Sequence, residues 1–249
     1  MPHLDDLKYI SENINKMAIG LDDTFEFSCR RCGNCCRNRD DIILTSKDVY
    51  NIAKDLSRTP YEVIKGYCET YIGPSSGIPV ARLKPRGDMS CPLLFKNDCI
   101  LHKAKPGICA IYPIGRYVLR ENTDDIQPGD ILEAGYLKMP VKCGKKHTIT
   151  VRDWLGKFGI PVNDTFFSLW HTTLVYLGSY FAKMVKQNTS GTLLNDLYEA
   201  VANVLYVNYD TSKEFFPQFE KGVSELKIVL ENISNVYIPG HKDDANNSA

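Results

Sequence analysis

Apolar positions set out most of the elements before any chemistry is considered. Leu4, Leu7, Ile10, Ile14 and Met17 recur at helical spacing, which predicts a short amphipathic helix over about Leu4–Met17. The run Phe25-Glu26-Phe27 alternates and reads as an extended lead-in packed on the cysteine-bearing segment after it. Ile42-Ile43-Leu44 predicts a short strand, after which Thr45 or Ser46 caps a helix to about Leu56. Thr59-Pro60-Tyr61-Glu62 combines a cap, proline at the first helical position and glutamate three residues after the cap. The helix it opens is expected to reach about Tyr71 and stop before Gly73-Pro74. Short strands are expected at Pro79–Lys84 and Arg116–Arg120, with turns rich in Gly, Pro, Asp and Asn between them.

From about residue 150 the pattern becomes strongly helical. Thr150 caps a short helix through Trp154 and Phe158, and Asn163 is expected to cap a long one from Asp164 to about Lys186. On that helix Phe167, Trp170, Leu174, Leu177 and Phe181 form one stripe. Helices near 191–208 and 211–234 follow, the last opened by Asp210. The stretch Phe166–Val185 is the most apolar of the chain. It still carries His171, Thr172, Thr173, Ser179 and Lys183, so it reads as a core helix, and no membrane is implied.

These patterns divide the chain into an N-terminal helix and lead-in (1–28), a loop-rich section (29–149), a helical section (150–235) and a polar tail (236–249). The fold class expected is mainly α with irregular loops and few short strands, a metal-stapled cysteine domain packed on the C-terminal helices. A loop-rich section of that length buries little apolar surface alone, and metal cross-links would supply the missing stability.

Composition sharpens this. Thirty basic and thirty acidic side chains cancel, so bulk charge gives no reason to expect nucleic acid or an anionic membrane as partner. Residues 1–20 carry early acids and no apolar core segment, unlike a secretory signal peptide, and the cytoplasm is the expected compartment. The nine cysteines are the anomaly: eight fall between Cys29 and Cys109, the ninth is Cys143, and none comes later. In a reducing compartment such clustering points to metal thiolates rather than disulfides.

The densest group is Cys29-Arg-Arg-Cys32-Gly-Asn-Cys35-Cys36. Two cysteines separated by two residues can turn back on one ion, and Gly33 allows the tight turn after Cys32. Arg30 and Arg31 place positive charge beside the thiolates. Cys91, Cys99, Cys109 and Cys143, each beside turn residues, complete a set of eight candidate metal ligands. Eight serve two four-coordinate sites, or one iron–sulfur cluster plus one zinc. Cys68 falls on the apolar side of the helix expected from Thr59 and reads as a small core residue. His102, three residues after Cys99, and His147, four after Cys143, are alternative ligands; His171 reads as a packing residue.

The run Phe27-x-Cys29-x-x-Cys32-Gly33-x-Cys35-Cys36, then Cys91-Pro92-Leu93-Leu94, Cys99-Ile100 and Pro106-x-x-Cys109-x-x-Tyr112-Pro113, resembles the YkgJ-type cysteine-cluster (CxxCxxCC) family, described as chelating zinc or iron. Cys143-Gly144-Lys145 and the Thr150-Val151-x-x-Trp154 helix start also match, so the likeness covers about residues 25–158. The chain departs from the family pattern at Leu101-His102, Lys105-Pro106 and Ala110, which replace neighbours of the ligands and not the ligands.

The spacing C-x2-C-x2-C with a distant Cys91-Pro92 is that of ferredoxin-type four-iron clusters. Zinc ribbons use two separate C-x2-C knuckles, whereas Cys91, Cys99 and Cys109 here are separated by seven and nine residues. Spacing therefore tilts the reading towards an iron–sulfur cluster of the four-iron type, with zinc as the alternative. Some relatives are labelled flagellin lysine N-methylases, which implies S-adenosylmethionine and a protein substrate. This chain has no Gly-x-Gly-x-x-Gly loop, and the radical C-x3-C-x2-C spacing fails at Arg39. Three functions are compatible: a metal protein with a structural role or a redox role that implies a redox partner, a protein-modifying enzyme, or a metal chaperone or redox sensor.

Overall fold

The computed structural model describes residues 12–101, 104–120, 122, 125–141 and 145–237. Residues 12–17 are helical (α1), the C-terminal part of the first predicted helix; its earlier turns lie outside the described residues. The lead-in is strand β1, Thr24–Ser28, which pairs antiparallel with β9, Lys145–Thr150. Alternation then buries Phe25 and Phe27, and their rings meet Trp154 edge-on at 6.0 and 5.5 Å. Trp154 sits on α5 (Val151–Gly156), which Thr150 caps by accepting from the Asp153 amide. The indole N–H donates to the Ile111 carbonyl at 2.8 Å. One small core thus joins both ends of the loop-rich section.

Strand β2 (Ile43–Leu44) leads into α2, Ser46–Asp55, where Thr45 and Asp48 form a reciprocal capping box. Helix α3, Pro60–Tyr67, has the same device in Thr59 and Glu62, with Pro60 in the first turn. It ends four residues earlier than the sequence pattern predicts. Cys68–Ile72 is strand β3, paired with β4 (Pro79–Leu83), which pairs in turn with β2. Gly66 is a poor helix former and Thr70-Tyr71-Ile72 favour extended backbone, so the strand wins.

Strands β5 (Leu94–Phe95) and β6 (Asp98–Cys99) form a minimal hairpin. After α4, Gly107–Ala110, strand β7 (Ile114–Val118) pairs with β8 (Ala134–Lys138). Nine short strands in four small sheets among the described residues are more than the few expected, although helix takes up more of those residues than strand.

The C-terminal helices are α6 (Thr165–Lys186), α7 (Gly191–Tyr206) and α8 (Phe215–Tyr237). Asp164, not Asn163, caps α6 by accepting from the Phe166 amide at 3.1 Å. Helix α8 starts later than expected, because Asp210 turns back to accept from the Ser212 amide and hydroxyl. The main core runs from β2, α2 and β4 through Leu93 and Leu101 to Trp170, Phe181, Tyr206, Phe219 and Leu230. The helices therefore bury their apolar faces against the loop-rich section. No helix among the described residues is long and apolar enough to cross a membrane.

Candidate metal centre

The cysteines arrive from four short segments. Cys29 and Cys32 come after β1, and Cys35 and Cys36 lie in a 3-10 turn, Asn34–Cys36. Gly33 precedes that turn at φ 71°, in the left-handed region. A β-carbon there would stand 3.1 Å from the Asn97 carbonyl oxygen and 3.3 Å from Leu94 Cδ1, so both backbone strain and tight packing favour glycine. The first motif is in this way pressed against the β5–β6 hairpin. Arg37 donates to Asn97 Oδ1 at 2.8 Å, and Arg31 approaches Asp98 at 3.5 Å. The Cys91 amide donates to the Cys36 carbonyl at 2.8 Å, and Cys99 closes β6 opposite Leu94.

Cys109 is carried by α4. That single turn is fixed from outside by Asp48, whose Oδ1 accepts the Gly107 amide at 2.8 Å while Oδ2 serves Thr45. Burial pushes the Asp48 carboxyl up, against the pull of its backbone partners Thr45 and Gly107. Behind the cysteines stand Phe27, Tyr112, Trp154 and Phe158, and this aromatic wall lines one pocket together with Cys29, Cys32, Cys35, Cys36, Cys99 and Cys109.

The thiols are electrostatically coupled. Cys35 and Cys36 have sulfurs 3.9 Å apart. Donation from Cys36 lowers Cys35 to about 6, with the Lys105 and Arg39 charges acting the same way. The same pairing pushes Cys36 up, with burial and the neighbouring Cys35, Cys91 and Cys109 adding to it. Burial raises Cys91, Cys99 and Cys109. A set of sulfurs that resists carrying several charges at once is a set that a cation would discharge, since metal binding replaces those protons. Cys29, Cys35, Cys36, Cys91, Cys99 and Cys109 are free thiols, which leaves their sulfur available as donor.

Convergence is not yet coordination. No group of three or more His, Cys, Asp or Glu side chains among the described residues is already arranged to hold a metal ion. Cys143 and His102 lie outside the described residues. His147 is exposed on β9. Cys68 begins β3 rather than lying within a helix; it is buried in the main core and desolvation pushes its thiol up to about 12. His171 packs its ring on Phe167 at 4.2 Å, with Nδ1 2.8 Å from the Phe167 carbonyl.

Sequence reasoning missed the supporting groups Asp48, Arg39 and Lys105. Asp48 was visible only as the third residue of a helix. Arg39 pairs with Asp41 two residues on and faces Cys109, a relation that needs the fold to be seen.

Residues 28–144 match the CxxCxxCC family, described as "Putative zinc- or iron-chelating domain". No curated protein and no solved structure matches the chain.

Proposed function

We propose that this protein holds an iron–sulfur cluster, or zinc in its place, through Cys29, Cys32, Cys35, Cys36, Cys91, Cys99, Cys109 and Cys143, in a structural or redox role. The observation that carries this reading is the gathering of cysteines from the first motif, the β6 end and α4 around one aromatic-backed pocket. The family description names the same two metals. Both take four thiolates, and the C-x2-C-x2-C spacing with Cys91-Pro92 favours iron–sulfur. The cysteine side chains close on the metal as it binds, so that binding energy becomes folding energy for the loops. When bound, an iron–sulfur cluster would supply one-electron chemistry and zinc a rigid cross-link. The chain's own residues orient the donors: Gly33 sets the turn, Asp48 holds α4, and Lys105 with Arg39 offset thiolate charge. The cytoplasm, where thiols stay reduced, suits this function.

The test is anaerobic purification, then measurement of zinc, iron and sulfide per chain and a visible spectrum. Iron with matching sulfide and a broad absorbance near about 400 nm, as thiolate-bound clusters give, is the expected result. Zinc alone would make the centre a structural cross-link, and absence of both metals would end the proposal.

A further inference from the structure

Beside the cysteine pocket lies a larger groove of about 1980 Å³, whose lining includes Cys35 and, at the N-terminus of α6, Asp164 and Phe166. We propose that this groove binds an extended acidic peptide segment of a partner protein, which adds as a strand to the free edge of β7. Which metal the cysteines hold has no bearing on this binding.

Size is the first argument. Pockets for small ligands hold about 300–1,000 Å³, and this groove is well above that range. Charge is the second. Seven lysine and arginine side chains line it against five aspartates. Four of the aspartates are committed within the protein: Asp41 to Arg39, Asp40 to Arg82, Asp164 to Arg116, and Asp48 to the amides of Thr45 and Gly107. Among the described residues Lys47, Lys105 and Lys157 have no ion-pair partner, and Lys47 and Lys157 lie over the rings of Phe166 and Trp154. The surplus is therefore positive, on an aromatic surface.

The third argument separates a peptide from other anions. Strand β8 has β7 on one side and meets Ala18 at Leu137 on the other. Strand β7 pairs with β8 alone among the described residues, and its Ile114, Gly115 and Arg116 line the groove. A strand with an open edge offers alternate N–H and C=O groups to an extended chain, which is how peptides are added to sheets. A nucleic-acid backbone needs a continuous cationic track. Here aspartates interrupt the cations and the whole chain has zero net charge.

A fluorescein-labelled peptide of alternating Glu and Tyr, titrated with the full-length protein and read by fluorescence anisotropy, tests this directly. The peptide is expected to bind, and the paired change Lys47→Glu with Lys157→Glu to weaken it by about tenfold or more, as does raising salt to about 0.5 M. Both lysines stand outside the cysteine pocket's donor set, so metal content and melting of the variant serve as the folding control. Methylating alternate peptide amides is expected to weaken binding by a similar factor, because the strand hydrogen bonds are lost. Equal affinity for a Lys–Tyr peptide, no effect of the methylation, or tighter binding of a single-stranded oligonucleotide in competition would each overturn the proposal.

Discussion

Asp48 Oδ1 accepts the Gly107 amide at 2.8 Å across 59 positions of sequence. The same carboxylate closes the capping box of α2 through Thr45. One buried side chain therefore couples the start of a core helix to the turn that carries Cys109. Replacing it with alanine removes a cap and leaves the Gly107 amide without its acceptor. Asp48→Ala is expected to lower stability by about 2–3 kcal/mol, the sum of a lost cap and an unsatisfied buried donor. Asp48→Asn, which keeps one acceptor oxygen, is expected to lose less. Urea unfolding of both variants checks this; equal losses would mean that the carboxylate's second bond contributes nothing.

Gly33 supports a second expectation. Its φ of 71° strains any side chain, and a β-carbon 3.1 Å from the Asn97 carbonyl oxygen would be tightly packed. Gly33→Ala combines a strained backbone with tight contact and should cost about 1–3 kcal/mol. The penalty falls where the cysteines converge, so metal per chain should drop along with the melting temperature. A variant that melts lower yet retains full metal would separate the turn from the centre.

His171 sets a pH dependence. Desolvation in the α6 face lowers its pKa from the ordinary 6.5, and the nearby Arg116 charge acts in the same direction. The unfolded chain therefore takes up the proton first as pH falls. Stability contributed by the neutral ring is present above about pH 6.5, and it is lost progressively below that until the folded state also protonates. His171→Gln should flatten the stability profile on the acid side of neutrality. Denaturant midpoints collected from pH 5 to pH 8 would reveal it, and an unchanged slope would place the titration elsewhere.

Some of this was legible in the chain alone, and the division has physical causes. Caps at Thr59 and Thr150 were readable because helix-start signals lie within a few neighbouring residues, whereas the start of α2 was narrowed only to Thr45 or Ser46 and its Asp48 partner went unread. The need for glycine at position 33 was readable because the turn lies inside one motif. Strand β8 was not. Its Ala134-Gly135-Tyr136-Leu137-Lys138 lacks β-branched residues, and it is held by Tyr117 lying over Gly135, where a β-carbon would come within 2.6 Å of the ring. The Asp48–Gly107 bond and the Arg39–Cys109 proximity were equally hidden, because both join residues that only the fold brings together. Cys143 remains a ligand proposed from spacing, as it lies outside the described residues.

Cys35 and Cys68 offer the sharpest contrast between ligand and filler. Cys35 is partly exposed, coupled to Cys36 and beside Lys105; Cys68 is buried among apolar side chains of the main core. Cys35→Ser keeps the size but exchanges a soft donor for a hard one, so metal per chain should fall and the loop-rich section should become easier to unfold. Cys68→Ala removes one buried sulfur and should cost about 1 kcal/mol, at the small end of core truncations, with metal content unchanged. Metal analysis and thermal melts on the two variants give opposite patterns if the assignment holds. Loss of metal in Cys68→Ala would make that thiol a ligand, and full metal in Cys35→Ser would remove Cys35 from the donor set.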